Sequence, residues 1–131
     1  MKFGPFVCLP SQLVVAGLDG IDSWERHAKE LFNIQKNVPW WLGDFCNYGQ
    51  ARWGDDFWQA VPPDVDVAML SRFAAVAAKI PPDARVEDVS WLFHSISLRI
   101  KQKHLRKAVL QMAKKKDLNP KEFEALVKDH S

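Results

Sequence analysis

Eight cations crowd residues 99–116 of this sequence: Arg99, Lys101, Lys103, Arg106, Lys107, Lys114, Lys115 and Lys116. Side chains of this kind at this density suit a polyanion, because each can neutralise a phosphate and release the counterion condensed on it. On a helical wheel Lys103, Lys107 and Lys114 fall together, opposite a stripe of Leu105, Val109 and Met112, with Arg106 to one side. The bland alternative is a solvated helix face whose last cations answer the helix dipole. Other chemistry finds less support. His27, His94 and His104 are too widely spaced for a metal site without Cys or carboxylates patterned around them. The acids Asp55, Asp56, Asp64 and Asp66 stand where helices are expected to begin, so capping explains them better than acid–base catalysis. No phosphate loop, nucleophile elbow or His-Glu-x-x-His occurs. The expectation is a protein that is not an enzyme and uses no metal or cofactor.

Net charge sharpens the first reading. The formal charge is only +2, but residues 1–98 carry 8 Lys and Arg against 12 Asp and Glu, while residues 99–131 carry 10 against 4. Ends of opposite sign suit a chain that meets a polyanion at one end, or whose ends answer each other. A composition of 47% hydrophobic and 26% charged residues over 131 positions fits one globular domain with its own core. Cys8 and Cys46, far apart, form neither a disulfide framework nor a zinc pattern, which points to a reducing compartment. The apolar start is interrupted by Pro5, Pro10, Ser11 and Gln12, unlike a secretory signal, and no run is long enough to span a membrane. A cytoplasmic protein without membrane attachment is expected.

The elements that must position these residues read as helices. Turn residues at Gly4, Pro5, Pro10, Gly17 and Gly20 predict a largely irregular N-terminal arm over 1–21, with at most one short strand pair near residues 5–18, in which 13–16 is either a short strand or an extended arm. Asp22 and Glu25 form a capping box for a first helix starting near Ser23. Pro39 suits the first turn of a second helix running to about Trp53, with Trp41, Phe45 and Tyr48 on one side, and Gly54 stops it. Further helices are predicted over 55–60, over 65–80 and around Val89 to Ile100, followed by the basic helix. A last helix is signposted by Asn119, Pro120 and Glu122. The aromatic-rich 22–63 segment has only Arg52 as a basic residue among its later rings, so core packing is expected there and not base stacking. Gly43 and Gly49 inside a helix imply close helix approach. The fold class is all-α: a single domain, 1–131, forming a compact orthogonal array of six or seven short helices, with a helix-turn-helix-like core in 64–131.

The run Trp40-Trp41-Leu42-Gly43-Asp44-Phe45-Cys46-Asn47-Tyr48-Gly49, the order of helices after it and the closing Leu118-Asn119-Pro120-Lys121-Glu122-Phe123 resemble known proteins. The chain is similar to the helix-turn-helix domain of ParB- and KorB-type partition proteins, and to small phage and plasmid proteins carrying a related aromatic segment. That resemblance implies that the 65–80 helix is a recognition helix, with Met69, Ser71 and Arg72 near bases. The sequence departs from the pattern in placing Asp64 and Asp66 at the start of that helix, where a phosphate-facing protein offers hydroxyls or cations. The favoured function is a small DNA-binding protein of phage or plasmid type, with a role in transcription regulation. It would contact double-stranded DNA through phosphates along the basic helix, as a homodimer if the site is palindromic. The alternative is a protein-interaction module that binds and redirects a host protein through its acidic surface or exposed aromatics.

Overall fold

A computed structural model of the chain describes residues 2–131, which divide into two compact units, one ending at Lys36 and the other spanning Asn37–Ser131. The first unit corrects the irregular arm. Strands β1 (Lys2–Phe3), β2 (Phe6–Leu9) and β3 (Gln12–Val15) form an antiparallel meander. Two-residue turns set its register, with Phe3 opposite Phe6 and Leu9 opposite Gln12. In the first of them Gly4 supplies, at +53°, the positive φ that tight hairpins favour, while the second turns on Pro10 and Ser11 without it. The turn residues that suggested irregularity are therefore what closes the sheet. Phe6 is its buried anchor, packed on Phe3 and edge-on to His27. The molecule is mainly α rather than all-α.

Helix α1 (Ile21–Trp53) passes straight through Pro39, where a boundary between two helices was expected. An interior proline costs about 3 kcal/mol through its missing N–H and the clash of its ring. Burial of the next turns offsets this. Trp40, Gly43, Cys46 and Gly49, spaced by three, all face inward. The two glycines do permit close approach: a Cβ on Gly43 would collide with the Phe73 carbonyl and meet Ala77 Cβ at 3.0 Å, and one on Gly49 would collide with the Phe57 ring. Because these small residues take the inner side, Trp41, Phe45 and Tyr48 are left outside. That overturns the expectation that these three rings fill the core, which holds instead for Trp40.

The remaining helices follow the capping signals closely. Gly54 precedes α2 (Asp55–Gln59). Asp66 caps α3 (Val67–Lys79), its carboxylate accepting from the Met69 N–H at 3.2 Å. A 3-10 turn (Pro82–Ala84) leads to α4 (Trp91–Ser97), which Ser90 caps through the Phe93 N–H. Helix α5 (Lys103–Lys116) ends where Asp117 turns left-handed, and α6 (Pro120–His130) opens on the full capping box of Asn119 and Glu122.

Three apolar clusters hold the second unit. Phe123, Val127, Val109, Leu110, Ala113 and Ile100 form the centre of an α4–α5–α6 assembly, where Phe93 stacks on Phe123 at 4.6 Å. Trp40, Val76, Ala77 and Ile80 join α1 to α3. Cys46, Leu70 and Ala74 extend that contact toward α2, and burial raises the Cys46 thiol pKa above its ordinary value.

Candidate nucleic-acid interface

Helix α5 and the turn before it present the basic residues. The helix buries Val109, Leu110 and Ala113, and its opposite side is exposed at Lys103, His104, Lys107, Gln111, Lys114 and Lys115. The wheel expectation of one basic face made by Lys103, Lys107 and Lys114 matches this burial. Several of these cations already have neighbours. Lys107 Nζ donates to the Asp83 carbonyl at 3.2 Å, Lys114 lies 3.5 Å from Asp88, and Arg99 lies 3.5 Å from Glu124. These contacts are exposed and weak enough to exchange for phosphate. Lys101, Lys103, Lys115 and Lys116 are exposed and make no ion pair among the described residues.

Arg106 differs from the rest. Its Nε and one terminal nitrogen both donate to the Ile100 carbonyl, at 3.1 and 2.9 Å, on the half-buried side of α5. Desolvation lowers its pKa from the ordinary guanidinium value. The side chain thus ties the α4–α5 turn to α5, and Ile100, 1% exposed, plugs the core beneath.

The segment leading into α4 is fixed in its turn by a buried histidine. His94 is completely buried in α4. Its Nε2 accepts from the Val86 N–H at 3.0 Å, so the proton is on Nδ1, which donates to the Ser90 carbonyl at 2.8 Å. Burial lowers its pKa most, the nearby Arg85 charge lowers it further, and the Ser90 hydrogen bond opposes both. Trp40 packs edge-on to the ring at 5.0 Å. Arg85 lies over that indole at 4.2 Å and grips Asp44 with two bonds of 2.9 and 3.0 Å. Neither Arg85 nor His94 belongs to a spaced motif, so the sequence marks neither of them.

At the start of α5 the backbone is open. Gln102 occupies the N-cap position without a side-chain hydrogen bond, so the first N–H groups of the helix have no protein side chain to satisfy them. A hollow of about 420 Å³ lies beside it, lined by Arg99, Ile100, Lys101, Gln102, Leu105, His130 and Ser131. Cations flanking an uncapped helix N-terminus make a chemically coherent place for a phosphate oxygen.

The residues carried over to α3 do not share a surface of that kind. Met69 is half-buried in the wall of an apolar hollow, Ser71 is exposed, and the Arg72 guanidinium sits 6.0 Å over the Trp91 ring. The helix begins with Asp66 and exposed Val67 and Ala68, which offer no side-chain donor to a phosphate and set a carboxylate there. Among the described residues no group of three His, Cys, Asp or Glu could hold a metal ion, and no helix is long and apolar enough to cross a membrane.

Comparison with known proteins gives one point of reference. Over 75 residues, 56% of this chain, the sequence is 27% identical to the transcriptional regulator NovE of Streptomyces niveus, and the chain spans about a third, 35%, of that protein. No family model matches the chain, and no solved structure does. The likeness to partition-protein domains rests on the sequence segments alone.

Proposed function

We propose that this protein is a DNA-binding regulator of transcription that engages duplex DNA through the α4–turn–α5 segment, with α5 and not α3 against the DNA. The observation that carries this reading is the N-terminal end of α5. It is uncapped, flanked by Lys101 and Lys103, and continues into the exposed face of Lys107 and Lys114. Phosphates anchored there would supply most of the affinity, and His104 and Gln111 on the same exposed face can reach base edges. The similarity to a transcriptional regulator supports the same class. In this reading Arg106 and Ile100 act as positioning residues that hold the turn, with the Arg106 guanidinium on the Ile100 carbonyl and not on phosphate. A cytoplasmic, non-enzymatic role of phage or plasmid type is part of the proposal.

The test is a mobility-shift titration of the whole chain against random duplex, single-stranded DNA and the DNA flanking its own gene, at two salt concentrations. Binding to duplex that weakens steeply with salt, with a preference for the flanking DNA, is the expected result. Absence of any shift at low salt would remove the proposal.

A further inference from the structure

Residues 37–53, the part of α1 in the second unit, carry an outward stripe that nothing in that unit covers. Trp41, Phe45 and Tyr48 are 52%, 67% and 57% exposed, and Val38 precedes them at the same spacing. The intervals of three, four and three residues give a seam of period about 3.5, the repeat with which one helix packs along another. Trp53, 54% exposed, extends the patch through its contact with Tyr48 at 6.1 Å.

Beside the stripe lies an apolar hollow of about 750 Å³, walled by Leu42, Phe57, Val61, Val65 and Met69 and sharing Phe45 with the stripe. Protruding rings and a recess therefore occur on one patch. The patch is also nearly uncharged. From 37 to 53 only Asp44 and Arg52 are ionised, and both are answered within the chain, Asp44 by Arg85 and Arg52 by the face of Trp53.

We infer that this face is the contact between two copies of the chain, packed about a two-fold axis with the α1 stripes together and rings of each copy entering the hollow of the other. Self-complementarity is what a two-fold contact requires, since the same surface must supply both knobs and recess. Charge opposes it little, because Asp44 and Arg52 are answered within the chain and Asp56 is the charged residue among those lining the hollow. The area is adequate. An aromatic ring buries about 150–250 Å² when fully covered, so four half-exposed rings offer roughly 350–550 Å² per copy. That is roughly two fifths to two thirds of the roughly 800 Å² each partner gives a standard interface, before the hollow is added. Surfaces rich in aromatics and depleted in charge have the composition of an interface centre. This inference stands on the α1 stripe and the hollow beside it and does not depend on DNA binding.

Sedimentation velocity of the whole chain without DNA, over about 1–200 µM, tests it. The expected result is reversible dimerisation. The double variant Trp41→Glu with Phe45→Glu should weaken it at least tenfold, and Tyr48→Lys alone should weaken it as well. Each variant should keep the parent far-ultraviolet dichroism, because the replaced rings are exposed. A parent that stays monomeric throughout would overturn the inference, and so would folded variants that dimerise like the parent. A variant that loses its helical dichroism would also count against it, since these rings would then be part of the core.

Discussion

Helix α5 and the 37–53 part of α1 are built on the same plan and finished differently. Both bury one side in the second unit, α5 through Val109, Leu110 and Ala113, and α1 through Trp40, Gly43, Cys46 and Gly49. Outside, α5 shows Lys103, Lys107 and Lys114, while α1 shows Trp41, Phe45 and Tyr48. Lysine heads remain hydrated with or without a partner, so the α5 face is content in water and attracts a polyanion. Exposed rings gain free energy when covered, at about 25 cal/mol per Å² of apolar surface. Outward chemistry, and not helix type, separates a surface suited to phosphate from one suited to protein.

The comparison breaks most readily at the core beneath α5. Phe123→Ala should destabilise the fold by about 3–5 kcal/mol, since Phe123 is fully buried and stacked on Phe93. Urea unfolding followed by circular dichroism would check this. Trp41→Ala, measured at a dilution where the chain is monomeric, should stay within about 0.5 kcal/mol of the parent, as exposed changes do. Equal losses in the two variants would erase the distinction between the core beneath α5 and the outer side of α1.

A smaller loss is expected at Arg85, which links α1 to the 3-10 region through Asp44, the Ile80 carbonyl and the Trp40 face. Arg85→Ala should cost about 2–3 kcal/mol, the range for charge-assisted bonds left unmade in a largely covered site. Asp44→Asn should cost less, because the bonds to the Ile80 carbonyl and the contact with Trp40 persist. The same unfolding measurement ranks the two.

His94 gives the comparison a pH dependence. Its folded pKa lies below the ordinary value near 6.5, so the unfolded chain binds the proton more readily. Stability is complete above about pH 6.5 and is lost as pH falls from there through the folded pKa. Unfolding midpoints should therefore drop between pH 7 and pH 5. His94→Gln should be less stable at pH 7 yet flatter across that interval, and a parent without any drop would contradict the buried neutral ring.

Local signals made much of this legible in the sequence. The capping residues Asp66 and Asn119 and the terminator Gly54 act over three or four positions, so they can be read without the fold. The basic face of α5 was legible for the same reason, its period being fixed by the helix. What escaped depended on tertiary balance. Pro39 reads as a boundary until the burial around Trp40 is known, and the inner side of α1 is marked by Gly43, Cys46 and Gly49 and not by its larger rings. The Gly-x-x-Cys-x-x-Gly spacing was the available clue. Arg106 was counted with its basic neighbours because nothing local reveals that the Ile100 carbonyl faces it. Of the sheet only a short strand pair near residues 5–18 is legible, because two-residue turns and irregular loops use the same residues.

The smallest effect on stability carries the largest consequence for function. Lys101→Ala, Lys103→Ala, Lys107→Ala and Lys114→Ala combined should leave the fold within about 0.5 kcal/mol per site of the parent, all four being exposed. Fluorescence anisotropy with a labelled duplex, across a series of salt concentrations, then reads the role of α5 directly. Each phosphate contact removed should lower the slope of log affinity against log salt by roughly one, so the folded variant should lose about three to four units of slope and bind all duplexes weakly. If that variant binds duplex DNA as tightly as the parent with an unchanged slope, the basic face of α5 is only a hydrated surface and the account of DNA binding fails.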